Sequence, residues 1–147
     1  MPPLPKRIWL HHVPPSWAGA STYFVTLCCQ ARGPDQLCLA ATSDKLLSAV
    51  RYYHDSQRWH VSIWLLMPEH LHALVSCPRD EDLAKSVAAW KRFTARDAGI
   101  GWQKGFFDHR LRADESFEEK AHYIRMNPVR KGLTATPEAW PHQWSPR

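Results

Sequence analysis

No stretch of the 147-residue sequence is apolar for long enough to cross a bilayer: the longest dense run, Val61 to Met67, has seven residues, where a membrane helix needs about 18 or more. No C-x-x-C pair occurs among Cys28, Cys29, Cys38 and Cys77. Neighbours such as Cys28 and Cys29 fall on opposite faces of a strand, so neither a zinc knuckle nor a disulfide framework is supported. A G-x-x-x-x-G-K-[ST] phosphate loop is missing, as are internal repeats and low-complexity tracts. The opening residues set Pro2, Pro3 and Pro5 ahead of Lys6-Arg7 and two histidines, which is not a secretory signal. A cytoplasmic protein without a membrane partner is therefore expected.

What is present is a globular composition, 44% hydrophobic and 22% charged, in a chain the size of one domain. Eight Trp are unusually many. Charge is unevenly spread. Residues 85–131 carry eleven Lys and Arg against six Asp and Glu, a net of +5, while the remainder is balanced at eight of each. A basic third of this kind suits a polyanion, because each neutralised phosphate releases a condensed counterion; a solvated basic surface is the alternative.

The element pattern is regular. Residues 1–22, with Pro2, Pro3, Pro5, Pro14 and Pro15, read as an extended arm. Tyr23 to Cys29 reads as a first strand. Ser43 is a candidate N-cap for a helix to about Arg58, with Leu46, Leu47, Val50 and Tyr53 at helical spacing. Trp59–Met67 and His70–Cys77 form a hairpin around Pro68-Glu69. Asp80 or Asp82 caps a second helix, which ends at Gly99 and Gly101. Trp102 to Arg112 is a fourth strand, with Gly105 as a bulge or twist. Ser116-Phe-Glu-Glu119 fits a capping box for a last helix, closed by Asn127-Pro128. Residues 134–147 form a tail, with Trp140 and Trp144, packed on the body. The order β-α-β-β-α-β plus an extra helix predicts an α+β, ferredoxin-like (split βαβ) antiparallel sheet over residues 23–133.

Two places carry chemistry. On a strand, residues two apart share a face, so His70 and His72 point one way while Leu71, Ala73 and Val75 point the other. Two imidazoles on one face suit a metal, although a pair of surface histidines reads the same. On the last helix Phe117, Ala121 and Ile124 make the apolar stripe, and Tyr123 lies about 100° or more away from it. Asn127 follows one turn later on the face of Tyr123. A phenol nucleophile beside a metal that polarises phosphate would supply what phosphodiester transesterification requires. A half-buried structural tyrosine is the competing reading.

Leu66-Met-Pro-Glu-His-Leu-His72, Gly105-Phe-Phe-Asp-His-Arg-Leu-Arg112 and Tyr123-Ile-Arg-Met-Asn-Pro-Val-Arg-Lys-Gly-Leu133, in this order, resemble the IS200-like Y1 transposases of the HUH superfamily, and within it the REP-associated tyrosine transposases. The resemblance implies that His70 and His72 hold a divalent metal, Mg²⁺ or Mn²⁺, and that Tyr123 is the catalytic tyrosine. Asn127 stands where the third metal ligand is found, often Gln in insertion-sequence relatives. It also implies cleavage of single-stranded DNA near a hairpin through a 5′-phosphotyrosine. A monomer is expected from the REP-associated branch, against the dimer common among insertion-sequence relatives.

Lys91, Arg92 and Arg96 on the second helix, and His109, Arg110 and Arg112 on the fourth strand, are candidate phosphate contacts. Arg125, Arg130 and Lys131 follow Tyr123 closely enough to steady a phosphate, and Arg130 is equally placed to cap the helix end. Trp9, Trp17, Trp102, Trp140 and Trp144 are candidates for stacking on unpaired bases, with packing as the alternative. The rival to an enzyme is a non-catalytic module that binds single-stranded or hairpin DNA. Hydrolysis of small substrates lacks a general-base carboxylate other than Glu69.

Overall fold

The computed structural model describes Trp17 and residues 20–146; most of the arm at 1–22, Trp9 included, lies outside the described residues. The elements are β1 (Thr22–Cys28), α1 (Ala40–Asp55), β2 (His60–Leu66), β3 (His70–Ser76), α2 (Asp82–Ala98), β4 (Phe107–Arg110), α3 (Phe117–Arg125), α4 (Asn127–Arg130), a 3₁₀ turn (Pro137–Ala139) and β5 (Gln143–Trp144). The sheet runs β4-β1-β3-β2-β5, with every neighbouring pair antiparallel. This is the ferredoxin-like α+β arrangement expected from the sequence, widened by one strand from the tail.

Alternation along β1 decides which face sees which layer. Tyr23, Val25 and Leu27 are buried with α1 and α2 through Leu46, Val50, Leu83, Val87 and Trp90. The opposite face carries Ile63, Leu65, Met67 and Leu74, covered by Ala121 and Ile124 of α3 and by Trp140. On β2 the register shifts between Val61 and Ile63. One extra residue at a bulge reverses the faces after it, so Val61 and Trp64 both face the two long helices while Ile63 faces α3.

Most of the described tryptophans are packed into the body of the fold. Trp59, Trp64, Trp90 and Trp102 form a continuous row, with successive ring centroids 5.0, 4.9 and 5.5 Å apart. Trp102 donates its indole N–H to Thr94 Oγ1 at 3.0 Å, and Trp140 donates to the Leu66 carbonyl at 2.9 Å. Trp17, Trp102 and Trp140 are buried, and Trp144 packs edge-on against His54. The buried Trp17, Trp102 and Trp140 present no free face for a base.

Several boundaries differ from the sequence reading, each for a local reason. Helix α1 starts at Ala40, with Leu39 in the cap position and no side-chain cap bond, and Ser43 is a buried first-turn residue that meets His142 Nδ1 at 2.7 Å. The chain enters α1 from a turn in which Asp35 Oδ1 accepts the Cys38 N–H, a capping role displaced upstream. Glu81 holds the cap position of α2 without a side-chain bond, and Asp82, in the first turn, is paired with Arg79 at 3.3 Å. The fourth strand is only Phe107–Arg110. Ahead of it Lys91 Nζ donates to the carbonyls of Gln103 and Gly105, and Trp102 makes a single bridge to Cys29. Asn127-Pro128 does not end helical structure: the chain restarts as α4 with proline in its first turn, where the missing N–H has no helical partner to lose. Half of the expected capping box is formed, the Glu119 N–H donating to Ser116 Oγ at 3.1 Å.

Removing Trp64, fully buried between Trp59 and Trp90, is expected to cost about 3–5 kcal/mol as Trp64→Ala, against about 1 kcal/mol for Ser116→Ala at the cap. Urea unfolding of the two variants checks this order.

Candidate functional site

The site begins with the register of β1 on β3. Cys28 stands opposite His70, Thr26 opposite His72 and Phe24 opposite Leu74, and residues directly opposite each other share a face. Thr26 Oγ1 lies 2.9 Å from His72 Nδ1. In the tautomer protonated at Nδ1 the hydroxyl accepts and His72 Nε2 keeps the available lone pair. The His70 and His72 rings are 5.0 Å apart and nearly perpendicular, and His70 Nδ1 is buried without a hydrogen-bond partner. Burial pushes the His72 imidazole from the ordinary 6.5 down to about 4, helped by His70 and the Arg130 charge. Burial also lowers His70, with Glu69 opposing and the Arg32 and Lys131 charges adding to it. Both rings are therefore neutral at physiological pH, the protonation state that ligates a metal.

Glu69, next to His70, is committed elsewhere. The Gly33 N–H donates to its Oε2, and Arg32 Nε donates to Oε1 at 2.9 Å. These bonds, the Gly33 one first, hold its carboxyl below the usual range. Gly33 reaches the carboxylate with φ +107°, a conformation that favours glycine. The result ties the loop after β1 to the β2–β3 turn and leaves Glu69 no free oxygen edge for general-base work.

Helix α3 turns Ala121 and Ile124 inward and leaves Tyr123 52% exposed. Phe24 lies between the two halves of the site, its ring centroid 6.1 Å from Tyr123 and 5.4 Å from His72. The Arg130 guanidinium sits 4.3 Å over the Tyr123 ring, and it donates to the Tyr123 carbonyl at 2.7 Å. It is thus both the helix-end cap and a cation over the phenol. Asn127, buried at the head of α4, follows one turn after Tyr123. Since Arg130 and Lys131 act electrostatically on His72 and His70, the turn after α3 flanks the histidine pair. No cluster of three His, Cys, Asp or Glu side chains suited to a metal is found among the described residues.

The remaining predicted residues divide between the two faces. His109 stands opposite Phe24 and lines a cleft of ≈430 Å³ with Phe24, Glu119, Lys120 and Tyr123. Its Nε2 meets the Glu115 carboxylate at 2.9 Å. Arg110 pairs with Asp80 at 3.5 Å, and Arg112 lies 3.6 Å from Asp114. Arg125 ends α3 half-buried. Lys91, Arg92 and Arg96 belong to α2, which packs on the other face of the sheet, and Lys91 is occupied by two carbonyls. The structure does not bring these three to the histidines. Thr26 and Phe24 were not singled out in the sequence; pairing Tyr23–Cys29 against His70–Cys77 would have placed both opposite the H-x-H face.

The histidine environment has a pH signature. Above about 6.5 His72 is neutral folded and unfolded, so it contributes no pH dependence; between about 6.5 and about 4 the unfolded chain binds a proton that the folded site refuses, and stability falls as pH falls. Below about 4 the loss from His72 is complete. Metal-free wild type should lose more stability than His72→Asn between pH 7.5 and pH 4.5, as read by urea midpoints.

No protein-family model matches the sequence. The chain is 27% identical over 86 residues to a REP-associated tyrosine transposase of Escherichia coli (strain K12), a match covering 56% of this chain and 52% of that protein. It is 30% identical over 95 residues to a second protein bearing that family name, from Haemophilus influenzae, covering 52% and 53%. The chain thus spans about half the length of the curated relatives it matches. Its fold superposes on a solved REP-associated tyrosine transposase bound to a REP hairpin with a TM-score of 0.69, at 24% identity, over 84% of this chain and 75% of that one. By sequence across about half its length and by fold across most of it, the chain is similar to the REP-associated tyrosine transposases.

Proposed function

We propose that this protein cleaves and rejoins single-stranded DNA beside a hairpin through Tyr123. The observation that carries the reading is the His70–His72 pair on one sheet face, His72 in contact with Thr26, across Phe24 from a half-exposed helical tyrosine.

In this reading the Tyr123 oxygen attacks phosphorus, the bond from phosphorus to the 3′-oxygen breaks, and the departing strand leaves as a 3′-hydroxyl that takes up a proton. The phenol proton goes to solvent. Tyr123 is left carrying the 5′-phosphate until a strand's 3′-hydroxyl attacks in the reverse sense. One phosphodiester is exchanged for another, so no nucleotide triphosphate is needed. His70, His72 and Asn127 are the residues that would hold Mg²⁺ or Mn²⁺, which when bound withdraws charge from the phosphate oxygens. Two imidazoles favour Mn²⁺ and abundance favours Mg²⁺. Arg130 keeps Tyr123 in place through the ring and the carbonyl and presents positive charge where the phosphate becomes more negative. The expected working form is a cytoplasmic monomer. No helix among the described residues is long and apolar enough to cross a membrane.

Incubated with labelled hairpin DNA bearing unpaired flanks, wild type with Mn²⁺ or Mg²⁺ should give a covalent adduct on a denaturing gel, and Tyr123→Phe or added chelator should give none. Arg130→Ala should slow adduct formation about a hundredfold with a smaller change in DNA affinity. Equal hairpin binding by wild type and Tyr123→Phe with no adduct from either would replace the enzyme by a hairpin-binding module.

A further inference from the structure

The large apolar side chain left most open among the described residues is Phe107, 68% exposed on the edge strand β4. Its direction follows from the ladder: Phe107 stands opposite Thr26, and His109 opposite Phe24. Because Thr26 meets His72 and Phe24 meets both His72 and Tyr123, Phe107 and His109 rise from the reactive face of the sheet. Phe106, one residue earlier, instead packs with the core on the other side. Two strand spacings, roughly 10 Å, separate Phe107 from His72, and the cleft lined by His109, Phe24 and Tyr123 lies between β4 and α3.

Single exposed apolar side chains are ordinary on protein surfaces; what distinguishes Phe107 is its place on the face that carries His72 and Tyr123. The surroundings here suit a nucleotide. On one side of Tyr123, Arg130 and Lys131 supply two positive charges beside the histidines. On the other, Glu115 is shared by His109, Arg112 and Lys120, so its single negative charge is matched in place. Glu119 is the further carboxylate lining the cleft, while Asp108, opposite Val25, belongs to the other face. A strand whose phosphate lies at the Tyr123 hydroxyl can carry its neighbouring base toward β4, across the cleft that Phe24, His109 and Tyr123 line. Stacking on aromatic side chains displayed by an open sheet is a general way of holding unpaired bases, and every base has a face to offer.

We propose that Phe107, with His109 at the wall of the cleft, is a stacking subsite for an unpaired nucleotide flanking the phosphate that Tyr123 attacks. The inference rests on the DNA-cleaving reading above and adds where the flank binds. The test is fluorescence anisotropy at fixed salt with two probes, a hairpin with an unpaired flank and the same hairpin without it, against wild type, Phe107→Ala and Phe107→Trp. Phe107→Ala should bind the flanked hairpin about tenfold more weakly, the order of one lost stack, with the unflanked hairpin unchanged and Phe107→Trp close to wild type. A 2-aminopurine in the flank should be quenched on binding wild type and not on binding Phe107→Ala. Wild-type affinity and quenching in Phe107→Ala, with adduct still formed by wild type, would overturn the subsite alone. Failure of wild type to bind either hairpin would overturn it together with the reading on which it rests.

Discussion

The contact between Thr26 Oγ1 and His72 Nδ1 joins two strands far apart in sequence, and the reactive face takes its order from the register that contact marks. With Thr26 opposite His72, Phe24 falls opposite Leu74 and Cys28 opposite His70; the same strand on its other edge sets Phe107 and His109. A slip of one residue would turn every one of these side chains to the opposite face. The apolar alternation of β1, with Tyr23, Val25 and Leu27 buried under α1 and α2, is what forbids that slip. Core packing on one side of the sheet thus fixes chemistry on the other.

The two faces divide the work. The face under α1 and α2 is filled by the indole row of Trp59, Trp64, Trp90 and Trp102, rigid and dry. The other is only partly roofed. Helix α3 covers Ile63, Leu65 and Leu74 with Ala121 and Ile124 and stops short of the histidines, so that Tyr123 stands at the border between packed and open sheet. The short α4 turns the chain back at once, which is why Arg130 reaches the ring and carbonyl of Tyr123 from seven residues away. At the other end of the histidine strand, the Glu69 carboxylate with Arg32 and Gly33 fastens the turn from which His70 emerges. Orientation by neighbouring hydrogen bonds is how protein sites hold metal-ligating imidazoles.

Periodicity and turn chemistry made the β-α-β-β-α-β order, the shared face of His70 and His72, and the outward placing of Tyr123 legible, because each depends on residues close together in sequence. What escaped depends on distant partners. Ser43 has the chemistry of a cap and is buried instead, the turn before α1 being made by Asp35. Trp102 to Arg112 has strand composition but, beyond the single bridge of Trp102 to Cys29, forms a ladder only over Phe107–Arg110, while Lys91 takes the carbonyls of Gln103 and Gly105. The basic third of the sequence looked like one surface. Lys91, Arg92 and Arg96 lie on one side of the sheet and Arg130 on the other, a separation that net charge cannot express. Thr26 was invisible as a site residue because a lone threonine in an apolar strand carries no motif; only the strand pairing gives it a role.

If the cross-strand contact organises the metal site, its loss should be felt in metal affinity before anything else. Titration of Mn²⁺ into wild type and Thr26→Val, followed by the free-ion electron paramagnetic resonance signal, measures this in the absence of DNA. The account predicts Mn²⁺ binding by wild type and binding about 10–100-fold weaker in the variant, with urea midpoints within about 1 kcal/mol of each other once the apolar isostere fills the same space. Equal affinity in the two proteins, or no binding by wild type, would contradict it.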